Sequence, residues 1–466
     1  MLFNSIAFVI FFPVVIAGYF LLPSKYRNAF LLLSSCYFYM YFNPVYILIL
    51  AYTIAVDFYA GIQIEKNIGH RSKQKKWLYA SLVANLGALA FFKYAAFILA
   101  NFSLLFHWSM PPSNSIFANI VLPIGLSFHT FQAISYTVEV YRGKQKAERN
   151  WLVYSLYVMF FPQLVAGPIE RPQKLLHQFK EHHVFTSDNF SLGMKWILWG
   201  LFKKMVVADN LSTIVDAVYQ HPQNYQGYAL MIATVLFAFQ IYGDFSGYSD
   251  IARGTARVLG FDLMINFNMP YFSKSFSEFW RRWHISLSSW FKEYVYIPLG
   301  GNQKWFFRNV FITFALSGLW HGANHTFLVW GILNGLLVFA NRYMNPWFGK
   351  LPAVLAILIT FIGIDFCWIF FRAATMHDAL YIIGNLFSNL QLNSLLQIPI
   401  ERHLWLISGA MLLLMLGIEW AVKNSNLPVQ WHASKPIHRI VFLNFLLFII
   451  LFFGVFEHRT FIYFQF

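Results

Sequence analysis

Apolar runs of near-uniform length, broken by short polar stretches, give the chain its first reading. Phe3–Leu22, Ala29–Phe42 and Val45–Ile64 are apolar, separated by a turn with Lys25 and Arg27 and by Asn43-Pro44. A spanning helix needs roughly 20 mainly apolar residues, so these read as three successive membrane spans. Trp77–Phe102 and Ile120–Tyr141 read as two more. Taking the basic loops Lys66–Lys76 and Arg142–Arg149 as cytoplasmic satisfies the bias of Lys and Arg toward the inner face and puts the N-terminus outside. The run Phe3–Leu22 has no basic stretch before it and no small-residue cleavage site after it, so it reads as a retained first span.

The middle is less regular. Trp151–Val165 is apolar but runs into Ala166-Gly167-Pro168 and a polar stretch through His183. Leu192–Ala208 carries Lys195, Lys203 and Lys204, and the run Tyr228–Tyr242 stops short of Asp244. From Phe245 to Arg308 the chain is too polar to cross lipid, yet it holds Trp280, Trp283 and Trp290. Irregular backbone at membrane depth is tolerated only when buried in protein or lining a cavity. This region therefore reads as interfacial and re-entrant helices. Four to five apolar runs follow: Asn309–Leu319 (re-entrant), Thr326–Ala340, Leu351–Phe371, Leu404–Val422 and Ile440–Phe456. The expectation is an all-α integral membrane fold of about 11–13 spanning or re-entrant helices. Residues 1–439 form its membrane core, and residues 440–466 add a C-terminal helix with an aromatic tail.

Composition agrees. Hydrophobic residues make up 58% of the 466 positions and charged residues 11%, against about 25% charged in soluble domains. The net charge of +15 sits in short clusters between apolar runs, Lys203 with Lys204 among them. Cytoplasmic loops and anionic lipid headgroups account for such clusters. No basic strip is interleaved with stacking aromatics, so no nucleic-acid partner is expected. Cys36 and Cys367 lie in apolar segments and read as small buried hydrophobes.

An ionisable residue at membrane depth is a functional candidate by default. The densest case is Ser317-Gly318-Leu319-Trp320-His321-Gly322-Ala323-Asn324-His325, a histidine framed by glycines in a break between apolar helices. Glycine permits unusual backbone angles and close approach, and histidine takes and returns a proton near neutral pH. A buried, hydrogen-bonded structural histidine is the plain alternative. His321 and His325 stand four apart, but no glutamate lies between them, and no metal is assigned. A second constellation is Glu278-Phe279-Trp280-Arg281-Arg282-Trp283-His284, ending in Tyr296-Ile297-Pro298-Leu299-Gly300-Gly301-Asn302. Read structurally, it is an interfacial helix with snorkelling arginines. Asp244 and Asp250 flank a glycine turn at Gly247 and suit helix caps or ion pairs.

Taken in order, these segments resemble the membrane-bound O-acyltransferase superfamily in its bacterial branch. The matching pieces are Leu122-Pro123-Ile124-Gly125, Phe131-Gln132, Gln163, Ala166-Gly167-Pro168-Ile169, Asp244 through Asp250, Glu278 through His284, Tyr296 through Asn302 and Trp320-His321-Gly322. The resemblance implies a ring of helices around a central chamber in the bacterial inner membrane. It also implies a cytoplasmic thioester donor such as acetyl-CoA, with no resident cofactor. It places the catalytic histidine at His321 and a second recurrent histidine at His284, with Trp280, Trp320 and Asn324 near the substrate. Asn324 or the Gly322 N–H is expected to steady the oxyanion. Leu299-Gly300-Gly301-Asn302 favours polysaccharide or peptidoglycan O-acetylation over D-alanyl transfer, and an extracytoplasmic esterase-like partner is expected to complete it. His129 departs from the family's usual aromatic. The tail Phe461-Ile462-Tyr463-Phe464-Gln465-Phe466 is similar to an aromatic motif whose tyrosine carries the acyl group, which makes Tyr463 a candidate nucleophile. A proton-coupled transporter is the rival of another class, but no internal repeat supports it.

Overall fold

Among the described residues, helices form along most of the apolar runs, and local caps set their ends. The Ser5 hydroxyl accepts the Phe8 N–H at the start of α1 (Ile6–Leu21), and Asn150 accepts the N–H groups of Leu152 and Val153 at the start of α6 (Trp151–Met159). The computed structural model describes residues 1–107, 123–423, 435–457, 459, 461 and 462. Leu122 and Tyr463 lie outside them.

Among the described residues, seven helices are long and apolar enough to cross a membrane. They are α3 (Tyr46–Lys66), α4 (Arg71–Phe106), α9 (Tyr228–Val258), α13 (His325–Phe348), α14 (Ala353–Arg372), α16 (Arg402–Lys423) and α17 (Pro436–Phe453). The expected span Trp77–Phe102 belongs to the longer α4, which passes through a π-helical turn at Ala90–Tyr94. Exposed side chains such as Val9, Leu48, Leu413 and Phe452 suit a wall facing lipid.

The chain divides into two units. The first comprises Met1–Met194 with Ala252–Met264. In it α3, α4 and α5 (Leu126–Tyr141) share a buried polar knot. The Ser81 hydroxyl donates to Asp57 Oδ1 at 2.6 Å, and Asn85 Nδ2 donates to both Asp57 oxygens.

The second unit comprises Lys195–Ile251 with Ile265–Phe466. Here the structure corrects two readings. Tyr228–Tyr242 does not end before Asp244, and no turn surrounds Gly247: α9 continues unbroken to Val258. Its glycines serve packing. A Cβ on Gly247 would stand 2.7 Å from the Gly200 carbonyl, and one on Gly243 would stand 3.0 Å from that of Lys203. A helical glycine looks the same in sequence whether it breaks the helix or admits a neighbour. Nor are Lys203 and Lys204 loop residues. They lie buried in a π-helical segment, Phe202–Ala208, that continues α7 (Ser187–Leu201). Lys203 Nζ sits 2.6 Å from Asp250 Oδ2, and Lys204 Nζ lies 2.9 Å from Asp209 and 2.6 Å from Asp244. Burial of these charges is sustained by the pairing.

Candidate active site

α10 (Phe276–Arg282) is fixed by its first turn. The Ser275 hydroxyl accepts the Glu278 N–H, the Glu278 carboxylate accepts the Lys274 N–H at 2.8 Å, and Arg282 closes the turn by pairing with Glu278 at 2.7 Å. This holds Phe279 and Trp283, one helical turn apart, stacked at 5.5 Å. The chain then reverses at His284, which opens α11 (Ile285–Phe291) at φ 42° and ψ 55°. Left-handed backbone costs a non-glycine residue roughly 1–2 kcal/mol, so the surroundings must enforce it. Asn266 does so. Its backbone carbonyl accepts the Ile285 N–H at 2.9 Å, and its side-chain oxygen accepts the Ser286 N–H at 3.2 Å and the Ser286 hydroxyl at 2.9 Å.

The same oxygen lies 3.2 Å from His284 Nδ1. Because the Ser286 N–H is an obligate donor, that atom of Asn266 is an acceptor, and His284 must present an N–H at Nδ1. Its lone pair is therefore on Nε2. Burial pushes the imidazole pKa down to about 3, so the ring is neutral at physiological pH.

His321 is the last residue of α12 (Phe306–His321). It is placed by a close helix hairpin. A Cβ on Gly318 would meet the Phe327 carbonyl at 2.2 Å, one on Gly331 would meet that of Phe314 at 2.3 Å, and one on Gly322 would strike the Phe327 ring at 2.1 Å. So α12 and α13 touch backbone to backbone, as small residues allow in membranes. The glycines serve close approach, and Gly322 itself is extended.

His284 and His321, 1% and 3% exposed, line one cavity of about 650 Å³, with ring centroids 6.5 Å apart. Trp320 packs against both rings, at 6.1 and 5.0 Å, and Trp330 and Phe371 close the far side of His321. Among the described residues, the wall of the cavity carries exposed Arg281, Lys292 and Arg342 and no carboxylate. Trp280 also lines it, and its indole Nε1–H is buried without a hydrogen-bond partner. The candidate oxyanion donors lie elsewhere. Asn324 Nδ2 donates to the Ala374 carbonyl, its Oδ1 accepts the Thr326 N–H, and the Gly322 N–H donates to the Gly318 carbonyl. Neither Asn324 nor Trp320 is part of the cavity lining, and His325 is exposed.

A family model described as "MBOAT, membrane-bound O-acyltransferase family" matches residues 148–371, which contain both histidines. The "Probable alginate O-acetylase AlgI" of Pseudomonas aeruginosa is 37% identical over 83% of this chain and 75% of its own length. The chain belongs to the membrane-bound O-acyltransferase family. The "Peptidoglycan O-acetyltransferase" of Helicobacter pylori is 35% identical over 82% of this chain and 79% of that protein. The "Teichoic acid D-alanyltransferase" of Bacillus subtilis reaches 27% over 56% of the chain and 71% of its own length. This protein is thus a multi-pass membrane O-acyltransferase that acts on an acyl donor.

In this acyltransferase the described end of the chain is tied into the second unit. The Val455 N–H donates to the Met205 carbonyl at 3.0 Å, Arg459 donates to the Asp209 carbonyl and the Ser212 hydroxyl, and the Ile462 N–H donates to Asp244 at 2.7 Å. Phe461 is buried against Tyr248 and Phe245, and the Phe245 ring stands 4.6 Å from that of His284. Asn266, Lys204 and Asp209 escaped sequence reasoning. The one available signal was the Lys203-Lys204 pair inside an apolar stretch.

Proposed function

We propose that this protein takes an acetyl group from a cytoplasmic thioester, acetyl-CoA, and passes it across the bacterial inner membrane for O-acetylation of an extracytoplasmic glycan. The cavity carries the reading: two buried imidazoles face a space whose exposed wall bears three cations and no carboxylate. A polyphosphorylated thioester suits such a wall, with its acyl end toward the histidines. The relatives' names point to a polysaccharide or peptidoglycan acceptor.

His321 acts as the base. It takes the proton of the attacking hydroxyl as that oxygen bonds to the acyl carbon, then returns it to the departing thiolate. Trp280 Nε1–H donates to the carbonyl oxygen as negative charge develops there. His284, held by Asn266, offers its Nε2 lone pair to position the substrate's polar hydrogen. It also stays neutral: a second cation 6.5 Å from a protonated His321 would cost about 2.6 kcal/mol at an effective dielectric of about 20. Tyr463 is assigned the first acceptor hydroxyl. An esterase-like extracytoplasmic partner then collects the acetyl group from its ester. The docking of Phe461 and Ile462 beside Phe245 supports this route.

The test is acetyl transfer by purified variants. His321→Ala loses about 10²-fold or more while the protein still folds, and Tyr463→Phe abolishes glycan acetylation but spares donor binding. Near-normal transfer by His321→Ala refutes the base, and full activity in Tyr463→Phe refutes the relay.

A further inference from the structure

A second cavity, of about 500 Å³, lies in the same unit and has walls of another kind. Lys204 and Arg459 line it together with Asp209, Asp216 and Asp244, and Asp216 is itself paired with Arg372 at 2.6 Å. The lining itself thus holds three carboxylates and two cations, and Arg459 is held by the Asp209 carbonyl and the Ser212 hydroxyl. Two lining groups are left with unused acceptors. Asp209 Oδ2 and Gln240 Oε1 are buried without hydrogen-bond partners, in residues 3% and 8% exposed. A buried acceptor without a donor is costly, and Thr213 and Gln220 add further polar groups around the same space.

Adjacent residues of α9 connect the two cavities. Asp244 lines this one and holds the Ile462 N–H, while the ring of Phe245 packs on His284, which lines the other. We infer that the second cavity binds a neutral, polyhydroxylated ligand, a sugar whose hydroxyls donate to Asp209 and Gln240. A phosphate or free carboxylate would meet a wall with more carboxylates than cations, and a metal ion would have to displace Lys204 and Arg372 from the carboxylates they pair. The volume suits a mono- or disaccharide. A role for that sugar downstream of Tyr463 rests on the acetyltransferase reading; the binding itself does not.

Equilibrium binding to the detergent-solubilised full-length protein tests this, in a detergent without a sugar headgroup. The probes are N,N′-diacetylchitobiose and a diuronate of equal length. The neutral disaccharide should bind, with the diuronate at least about tenfold weaker. Gln240→Leu should weaken the neutral ligand about tenfold, the loss of one net hydrogen bond to a buried acceptor, with the thermal unfolding midpoint maintained. His321→Ala should bind the disaccharide as the wild type does, which separates this site from the catalytic assignment. No disaccharide binding, equal binding of the diuronate, or unchanged binding in Gln240→Leu overturns the inference.

Discussion

Replacing Asn266 by aspartate is the sharpest test of how His284 is held. The substitution keeps an acceptor for the Ser286 N–H and the Ser286 hydroxyl, so the left-handed turn at His284 survives. What changes is charge. A carboxylate 3.2 Å from Nδ1 favours the imidazolium by about 5 kcal/mol at an effective dielectric of about 20. At 1.36 kcal/mol per pKa unit this carries His284 from about 3 to about 7. Below that pH, Nε2 becomes a donor and its lone pair is lost. Acetyl transfer by Asn266→Asp should therefore gain an inflection near pH 7 absent from the wild type, with activity at pH 6 at least about tenfold below that at pH 8. Asn266→Ala behaves differently: it strands buried donors and costs about 2–4 kcal/mol of stability, with no new inflection. The assay is the pH–rate profile of purified protein in one detergent, alongside thermal unfolding. A profile of Asn266→Asp that parallels the wild type from pH 6 to 8 would refute both the tautomer and the role of Nε2.

Three further outcomes follow from the same geometry. Trp280→Phe keeps the ring contacts with Phe314 and Trp330 but removes the buried indole N–H, and should lower the turnover rate about 10²-fold with donor affinity little changed, as steady-state kinetics will read. Lys204→Met leaves Asp209 and Asp244 facing each other without a cation and should cost about 3–5 kcal/mol, measured as a lower unfolding midpoint together with protease access to the C-terminal segment that Asp244 holds. His284→Asn, which tolerates the left-handed turn, should remove a pH term: the wild-type folded state refuses a proton that the unfolded chain takes below about pH 6.5, so wild-type stability falls by about 1.4 kcal/mol per pH unit between 6.5 and 3, and the variant's curve should be flatter by that slope.

The spans were legible because membrane thickness sets their length directly: α3, α14, α16 and α17 lie within a few residues of the apolar runs, and α13 runs on past Ala340 to Phe348. The break after His321 was legible because Gly322 and Asn324 interrupt an apolar pattern. Other features were hidden for a definite reason. Asn266 precedes His284 by 18 residues in an irregular segment, and no periodicity ties an irregular segment to a turn. Asp244 and Gly247 read as a turn because a packing glycine and a breaking glycine share one letter. Lys203 and Lys204 read as topology because only Asp209 among their partners is near in sequence, while Asp244 and Asp250 lie 40 or more positions on.

The arrangement makes α9 the element that ties the two cavities together. One turn of it carries Asp244, which ties down the chain's described end, and Phe245, which packs on His284; the next carries Tyr248 against Phe461 and Asp250 against Lys203. Both neighbours of that turn are obligatory. Glycines at 243 and 247 let the Lys203–Lys204 backbone approach closely enough for the two lysines to meet their acids, and the paired lysines in turn allow carboxylates at this depth. A side chain at either glycine would separate the helices, unpair the charges and shift Phe245 away from His284 at once. The packing at His284 therefore depends on glycines that lie outside its own helix.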